Sequence, residues 1–501
     1  MKQYLTFITL LVCTLASAQN IDDVLRYSTE NIQGTARFQG MSGAFGALGG
    51  DLSALNINPA GSSVFNNSLF TVSVSSYSRN NTSNYFGTMT ENTSNQLEIN
   101  QLGGVFVFKN TDGNSPWKKF SIAANYDVVR NLEDDIYITG NSNQGIDNYF
   151  LNFAQGTPFG AILAQEGEFL EDAYLDIGSS QGFSDQQAFL GYYGGIIDPV
   201  DMEDDNTAYI RTSDYQTVNQ EFSRNTSGYN SKFTLNMSSQ FQESLYLGAS
   251  LNFHNVLYDR YDEFTERGYN ADSEIQFTTF DNLLHTEGSG FSFSLGAIAK
   301  LNEFVRLGGS YQSPTWYRLK DDFSQRINSD LAADDIDFIT LNVINLFDTY
   351  TIKTPGKLTG SMAVIFGKDG LLSFDYGYQD MSKAELRPDS DANFAAVNSD
   401  IDSELSAVSS FRVGGEYRIK RLSLRGGYRF EQSPYADGNT IGDLNGFSAG
   451  IGYSFRGSRI DLAFNRSEQD VDQFLFDTGL TTPALINTVN TNVTLGYTLN
   501  F

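Results

Sequence analysis

The chain has two histidines, His254 and His285, and acid–base chemistry would start from them. His254 follows the alternating series Tyr246, Gly248, Ser250 and Asn252, so the spacing offers a serine–histidine pair on one face of a strand. Spacing supplies no orienting partner, and a single histidine on such a face usually lines a polar surface. No catalytic residue is assigned, and the chain is expected not to be an enzyme. A second constellation is cationic. Arg412, Glu416, Arg425, Arg429 and Glu431 fall on one face, opposite Phe411, Val413, Tyr417, Leu424, Tyr428 and Phe430. Such charges either bridge one another or present a guanidinium to a ligand carboxylate through two parallel hydrogen bonds, which makes Arg412, Arg425 and Arg429 the ligand-carboxylate candidates. The acidic run Asp389-Ser390-Asp391 with Asp400 has part of a calcium-loop spacing, but Phe394 stands where that turn requires glycine. No metal and no cofactor are expected.

The stretch Gly40 to Gly61, GMSGAFGALGGDLSALNINPAG, is unlike anything else in the chain. It fails as a phosphate loop, because no apolar strand precedes Gly43 and no Lys-Ser/Thr follows. Its glycines permit tight folding in a confined space, and Asn58-Pro59-Ala60 closes it as a turn. Met41, Phe45, Leu48, Leu52, Leu55 and Ile57 argue against a solvated tether. The expectation is a compact plug, with Gly43, Phe45, Gly46, Asn58, Pro59 and Ala60 as its gating residues.

Those residues need a frame. The first twenty residues, MKQYLTFITLLVCTLASAQN, carry a basic start, an apolar core and Ala16-Ser17-Ala18, as a cleaved secretory signal does. The one cysteine, Cys13, lies within it, so the mature chain has neither disulfides nor thiolate metal sites. With 32 basic and 60 acidic residues the net charge is -28, which excludes nucleic acid as a partner. No later apolar run is long enough for a membrane-spanning helix, so a membrane location requires strands.

Strands are what the pattern shows. Val493, Leu495, Tyr497, Leu499 and Phe501 alternate with Thr494, Gly496, Thr498 and Asn500, and Phe447 to Phe455 alternates likewise against Ser448, Gly450, Gly452 and Ser454. About fourteen such segments run from residue 68 to the end, near 68-79, 97-109, 117-139, 217-238, 243-267, 273-301, 303-328, 347-367, 369-386, 405-419, 420-432, 445-456, 457-468 and 490-501. Short connections at Gln240 to Glu243, Asn302, Gly367 to Gly370, Arg418 to Arg421 and Arg456 to Arg459 alternate with long polar ones. That sorting predicts an all-β, transmembrane antiparallel barrel with its long loops on the external side. The divisions are a signal at 1-18, a plug at 19-67 and a barrel at 68-501. The external loop 140-216 carries helix-like spacing at Tyr149 to Gln165 and Glu168 to Ile177, suited to capping the barrel mouth. In the third segment Ala123, Asn125 and Asp127 hold one polar face until Val128-Val129 breaks the alternation, where a bend is expected.

The plug with Asn58-Pro59-Ala60, SYQSP at Ser310 to Pro314, TPGKL at Thr354 to Leu358, LRGGYRFEQSP at Leu424 to Pro434 and the terminal Phe501 together resemble the outer-membrane long-chain fatty-acid transporter family of the FadL/OmpP1/TodX type. The resemblance implies a fourteen-stranded barrel in the bacterial outer membrane with an N-terminal hatch, passing fatty acids, hydrocarbons or similar apolar molecules. It also implies passive uptake and a sideways exit into the membrane beside an inward kink in the third strand. The lateral-opening candidates are therefore Asn125, Asp127 and Arg130, with the Asn58-Pro59-Ala60 turn expected against that wall. Expected partners are a hydrophobic ligand, outer-membrane lipid and, through the C-terminal strand, the barrel-assembly machinery. The alternative is a general or haemin-binding outer-membrane porin or receptor.

Overall fold

The computed structural model describes residues 19–501 except 113, 334, 335, 337 and 338; the signal at 1-18 lies outside the described residues. Fourteen antiparallel strands close into a barrel. They are β1 Leu69–Tyr85, β2 Thr88–Lys109, β3 Trp117–Asn131 resuming as Asp134–Ser142, β4 Val218–Phe241, β5 Leu245–Arg267, β6 Phe277–Lys300 and β7 Val305–Gln312 resuming as Trp316–Ser329. There follow β8 Tyr350–Lys353 resuming as Lys357–Phe366, β9 Gly370–Asp380 with Glu385–Arg387, β10 Ala407–Ile419, β11 Leu422–Glu431, β12 Leu444–Ser454, β13 Ser458–Gln473 and β14 Ala484–Asn500. Pairing of β1 with β14, from Leu69↔Asn500 to Asn84↔Leu485, completes the ring and leaves no sheet edge at the seam.

Alternation assigns the two faces. Leu235, Leu251, Leu295, Leu424, Ile451 and Leu495 point outward and are exposed, which is the surface a lipid belt covers, while their neighbours turn small and polar side chains inward. Two strands break at one level for one reason. Pro314 and Pro355 lack the N–H a ladder needs, so β7 and β8 are both interrupted there, and Thr315 and Thr354 repair the seam: Thr315 N donates to Thr354 Oγ1 at 2.9 Å, and Thr354 N to Thr315 O at 3.0 Å. SYQSP and TPGKL are the two sides of this joint.

Residues 80–96, which lie between the first two alternating segments, continue both strands to a tight turn at Phe86-Gly87. The alternation fades there because the hairpin rises beyond the lipid belt and both faces become polar. The loop after β3 folds into a cap of three helices, α3 Asp147–Ala154, α4 Leu170–Ser180 and α5 Phe183–Tyr193. Phe150, Tyr174 and Phe189 pack with Phe264 and Phe280 of the wall and Leu480 of the last loop. The third helix gave no sequence signal because Gln186 through Gly191 are all buried, so it has no polar stripe. Asp391 is the N-cap of the loop helix Ala392–Glu404, accepting from Asn393 N at 2.9 Å.

Candidate functional site

Residues 19 to 67 lie inside the barrel. Helix α1, Ile21–Ser28, stands high in the lumen, started by a capping box between Asn20 and Asp23. Its Val24, Leu25 and Tyr27 pack against Tyr317, Leu319, Tyr350 and Leu386 of the wall and Phe394 and Ile401 of the loop helix. The short helix α2, Ala36–Gln39, follows lower down, capped by Thr35.

The glycine-rich stretch is bound to the wall by specific polar contacts. The amides of Phe45 and Gly46 both donate to Asp375 of β9, at 2.9 and 3.0 Å, and Phe45 itself is fully buried. Gly43 has φ +74, and a side chain at Gly46 would collide with Ser361. Asn58 donates through Nδ2 to Gly46 O at 2.8 Å and Ala297 O at 3.0 Å, and its Oδ1 accepts from Ala60 N at 3.1 Å. Pro59 O accepts from Asn236 Nδ2 at 2.9 Å. The expected position of this turn is therefore corrected. Asn58-Pro59-Ala60 abuts β4 to β7, where Gly248 and Gly296 leave room for it, and not the wall at Asn125 to Arg130. The missing side chains of those glycines, which let the turn backbone approach the wall, and not the irregularity in β3, fix where the turn fits.

Below α2 the charges form a network joining plug to wall. Arg37 Nε donates to Glu416 Oε2 at 3.0 Å, Arg425 Nε to the same oxygen at 2.6 Å, and Arg418 reaches Glu416 Oε1. Arg425 continues to Asp461 at 2.7 Å. Arg425 is thus engaged on both sides, as the salt-bridging alternative requires. Arg412 and Arg429 instead share Glu431, at 3.3 and 3.8 Å, and leave Arg412 Nε and Arg429 Nη1 without a hydrogen-bond partner. All three arginines keep a guanidinium nitrogen without a hydrogen-bond partner, Arg425 through Nη2, but of the three Arg425 alone is bound to two carboxylates. Glu30, where the plug leaves α1, lies in the field of Lys232, Lys357 and Arg412. Burial opposes its charge, but those cations outweigh burial and hold its carboxyl down at about 2.

The wall beside this chamber is discontinuous. The ladder between β2 and β3 stops at Gln101↔Asp127, while β3 continues with β4 through a register shift between Val128 and Arg130. Val128 and Val129 are both buried, which is the break in alternation read from the sequence. The outer half of β3 pairs only with β4 and has moved inward behind the first hairpin, where Asp134 reaches Arg79 of β1 at 3.1 Å. Side chains span the resulting gap: Gln96 donates to Glu133 at 3.3 Å and Asn131 donates to Gln96. At its lower margin Asn125 accepts from Gln101 at 2.6 Å and donates to Asp127 at 2.5 Å. Arg130 caps the C-terminus of α1, donating to Arg26 O at 3.0 Å and to Thr29 Oγ1. Asn125, Asp127 and Arg130 thus lie along the margin of this break in the ladder. Gln96, Asn131 and Glu133 complete it, and the sequence hid them because Gln96 lies where strand alternation had faded.

His254 lines the lumen, where its ring meets Tyr317 Oη at 3.1 Å and Ser292 Oγ at 3.3 Å; among the described residues no carboxylate is hydrogen-bonded to it.

A sequence profile of the outer membrane protein transport protein family (OMPP1/FadL/TodX) matches residues 205–495. No curated protein matches the chain. Among solved structures, a Pseudomonas aeruginosa FadL homologue superposes with a TM-score of 0.55 at 13% identity, covering 95% of this chain and 100% of that one. The P. putida toluene transporter TodX gives 0.51 at 14% identity, with 94% and 99% covered. At such identities the likeness is one of fold, and it extends over the plug as well as the barrel. With the profile match spanning more than half of its length, the chain belongs to the OMPP1/FadL/TodX family of outer membrane transport proteins.

Proposed function

We propose that the chain is a passive outer-membrane channel for hydrophobic small molecules, held closed by its plug and discharging them sideways through the gap between β2 and β3. The observation that carries this is the loss of the backbone ladder beyond Gln101↔Asp127, because a closed barrel has no structural need for an unpaired stretch of wall. The solved structures of this fold include a toluene transporter, consistent with an apolar cargo. Where the cargo bears a carboxylate, Arg412 and Arg429 are the residues to receive it, since Arg425 is committed to Glu416 and Asp461. The haemin alternative gains no axial ligand from His254, whose ring nitrogens face Tyr317 and Ser292. Assembly through the C-terminal strand β14 belongs to the same proposal.

Cysteines replacing Gln96 and Asn131 test the route, because the mature chain has no other thiol. Oxidation should stop uptake of an apolar substrate by intact cells and reduction should restore it. Uptake at the normal rate through the crosslinked barrel would leave a straight route down the lumen as the better account.

A further inference from the structure

A narrow crevice runs from the lumen to the gap, with about 30 Å³ of space, room for a water-sized group, and it opens to solvent. Its walls do not suit a hydrocarbon. Among the residues lining it, Ile32 is the only aliphatic one; Tyr77, Gln96, Asn131, Glu133, Arg429 and Asn492 supply most of the rest. In the sheet register Tyr77 lies opposite Gln96 on one side and Asn492 on the other, and its hydroxyl sits on the inner surface near Ser75, Glu98 and Asn100.

Three polar atoms here are buried without a hydrogen-bond partner: Tyr77 Oη, Asn492 Oδ1 and Arg429 Nη1. Asn492 and Arg429 are each 7% exposed. Buried polar groups are nearly always paired, so orphans clustered on one cavity indicate something that occupies it. Arg429 needs an acceptor, Asn492 Oδ1 needs a donor, and Tyr77 can serve as either. A hydroxyl group offers both functions, whereas an alkane offers neither. An ionised carboxylate supplies acceptors only, and it would meet Glu133 at the exit. The cations lining the crevice do not compensate fully, because Arg79 is already paired with Asp134 and Arg429 faces Glu431.

We infer that this crevice is a head-group site for a neutral, hydroxyl-bearing amphiphile, which Tyr77, Asn492 and Arg429 hold as it approaches the gap. The inference rests on the lateral-exit reading above for its place on the route, but not for the chemistry of the site.

Binding of decane, 1-decanol and decanoate to the full-length protein in amphipol, at neutral pH, tests it. Decanol should bind at least about tenfold more tightly than either of the others, the scale of one satisfied polar pair. Asn492→Leu and, separately, Tyr77→Phe should reduce the decanol-to-decane ratio to within about twofold. The heat-modifiable gel mobility of each variant reports that the barrel is folded, and the two substitutions guard against one failing to fold. Equal binding of decane, tightest binding of decanoate, or an unchanged ratio in both variants would each overturn the site. The Gln96–Asn131 crosslink separates this from the route. If crosslinked cells still take up decanol while the binding preference holds, the lateral exit fails and the site stands. If uptake is blocked but the preference is absent, the site fails and the exit stands.

Discussion

Glu416 accepts from Arg37, Arg418 and Arg425 while almost wholly buried. Removing one member of such a network leaves the others as uncompensated buried charges, so Glu416→Gln is expected to destabilise the folded protein by about 3–5 kcal/mol, measured by denaturant unfolding. Glu30 gives a pH dependence. Its folded value of about 2 lies below the ordinary 4.5, so its contribution to stability is fully present above 4.5 and is lost as pH falls from there towards 2. Protease protection of the plug should decline across that interval, and Glu30→Gln should flatten the decline. A decline unaltered by that substitution would show that other carboxylates set it. Glu416 and Arg425 were visible in the sequence as members of an alternating polar face. Arg37 was not, because the plug has no periodicity that says which side chain faces which strand.

Among the elements, the plug's position is set by glycines in the wall. A methyl group at Gly248 would lie 2.4 Å from Pro59 O, and one at Gly308 would lie 2.3 Å from Gly46 O. Both obstacles are backbone, so Gly248→Ala or Gly308→Ala should dislodge the plug turn without breaking the barrel ladder. Planar-bilayer recordings should then show larger or more frequent conductance steps than the parent protein, and recordings indistinguishable from it would show that the turn accommodates the methyl. The kink in β3 was legible as Val128-Val129, since two consecutive buried residues cannot both belong to one face of a regular strand. Its partner across the gap was not legible. From Thr90 to Gln96 strand β2 carries polar side chains on both faces, so nothing in the order of residues separated strand from loop. The same loss of contrast concealed α5, whose surroundings are protein on nearly every side.

At the scale of the whole molecule, loop sorting and the period-2 pattern carried the architecture, because the lipid belt imposes an apolar outer face on every strand. Tags in 387-404 or in 474-483, the part of the last long segment left between β13 and β14, are expected to be reachable from outside intact cells, and tags in Gly367 to Gly370 to be shielded; the opposite result would invert the barrel. An arginine at Leu495, at the middle of the outward series of β14, should reduce assembly into the membrane by about 2–4 kcal/mol, measured as the folded fraction in membrane extracts. The level of the gap has its own consequence. On β2 it lies beside Leu97 and Ile99, the last apolar outward residues before Asn95, and therefore at the outer rim of the belt. A molecule released there arrives in the outer leaflet with its polar end already at the water boundary, the orientation an amphiphile adopts unaided. On the proposed lateral route the protein then supplies only the first half of the crossing. Movement to the inner leaflet becomes a flip-flop step in the lipid itself, and the overall rate of delivery should depend on membrane fluidity as well as on the channel.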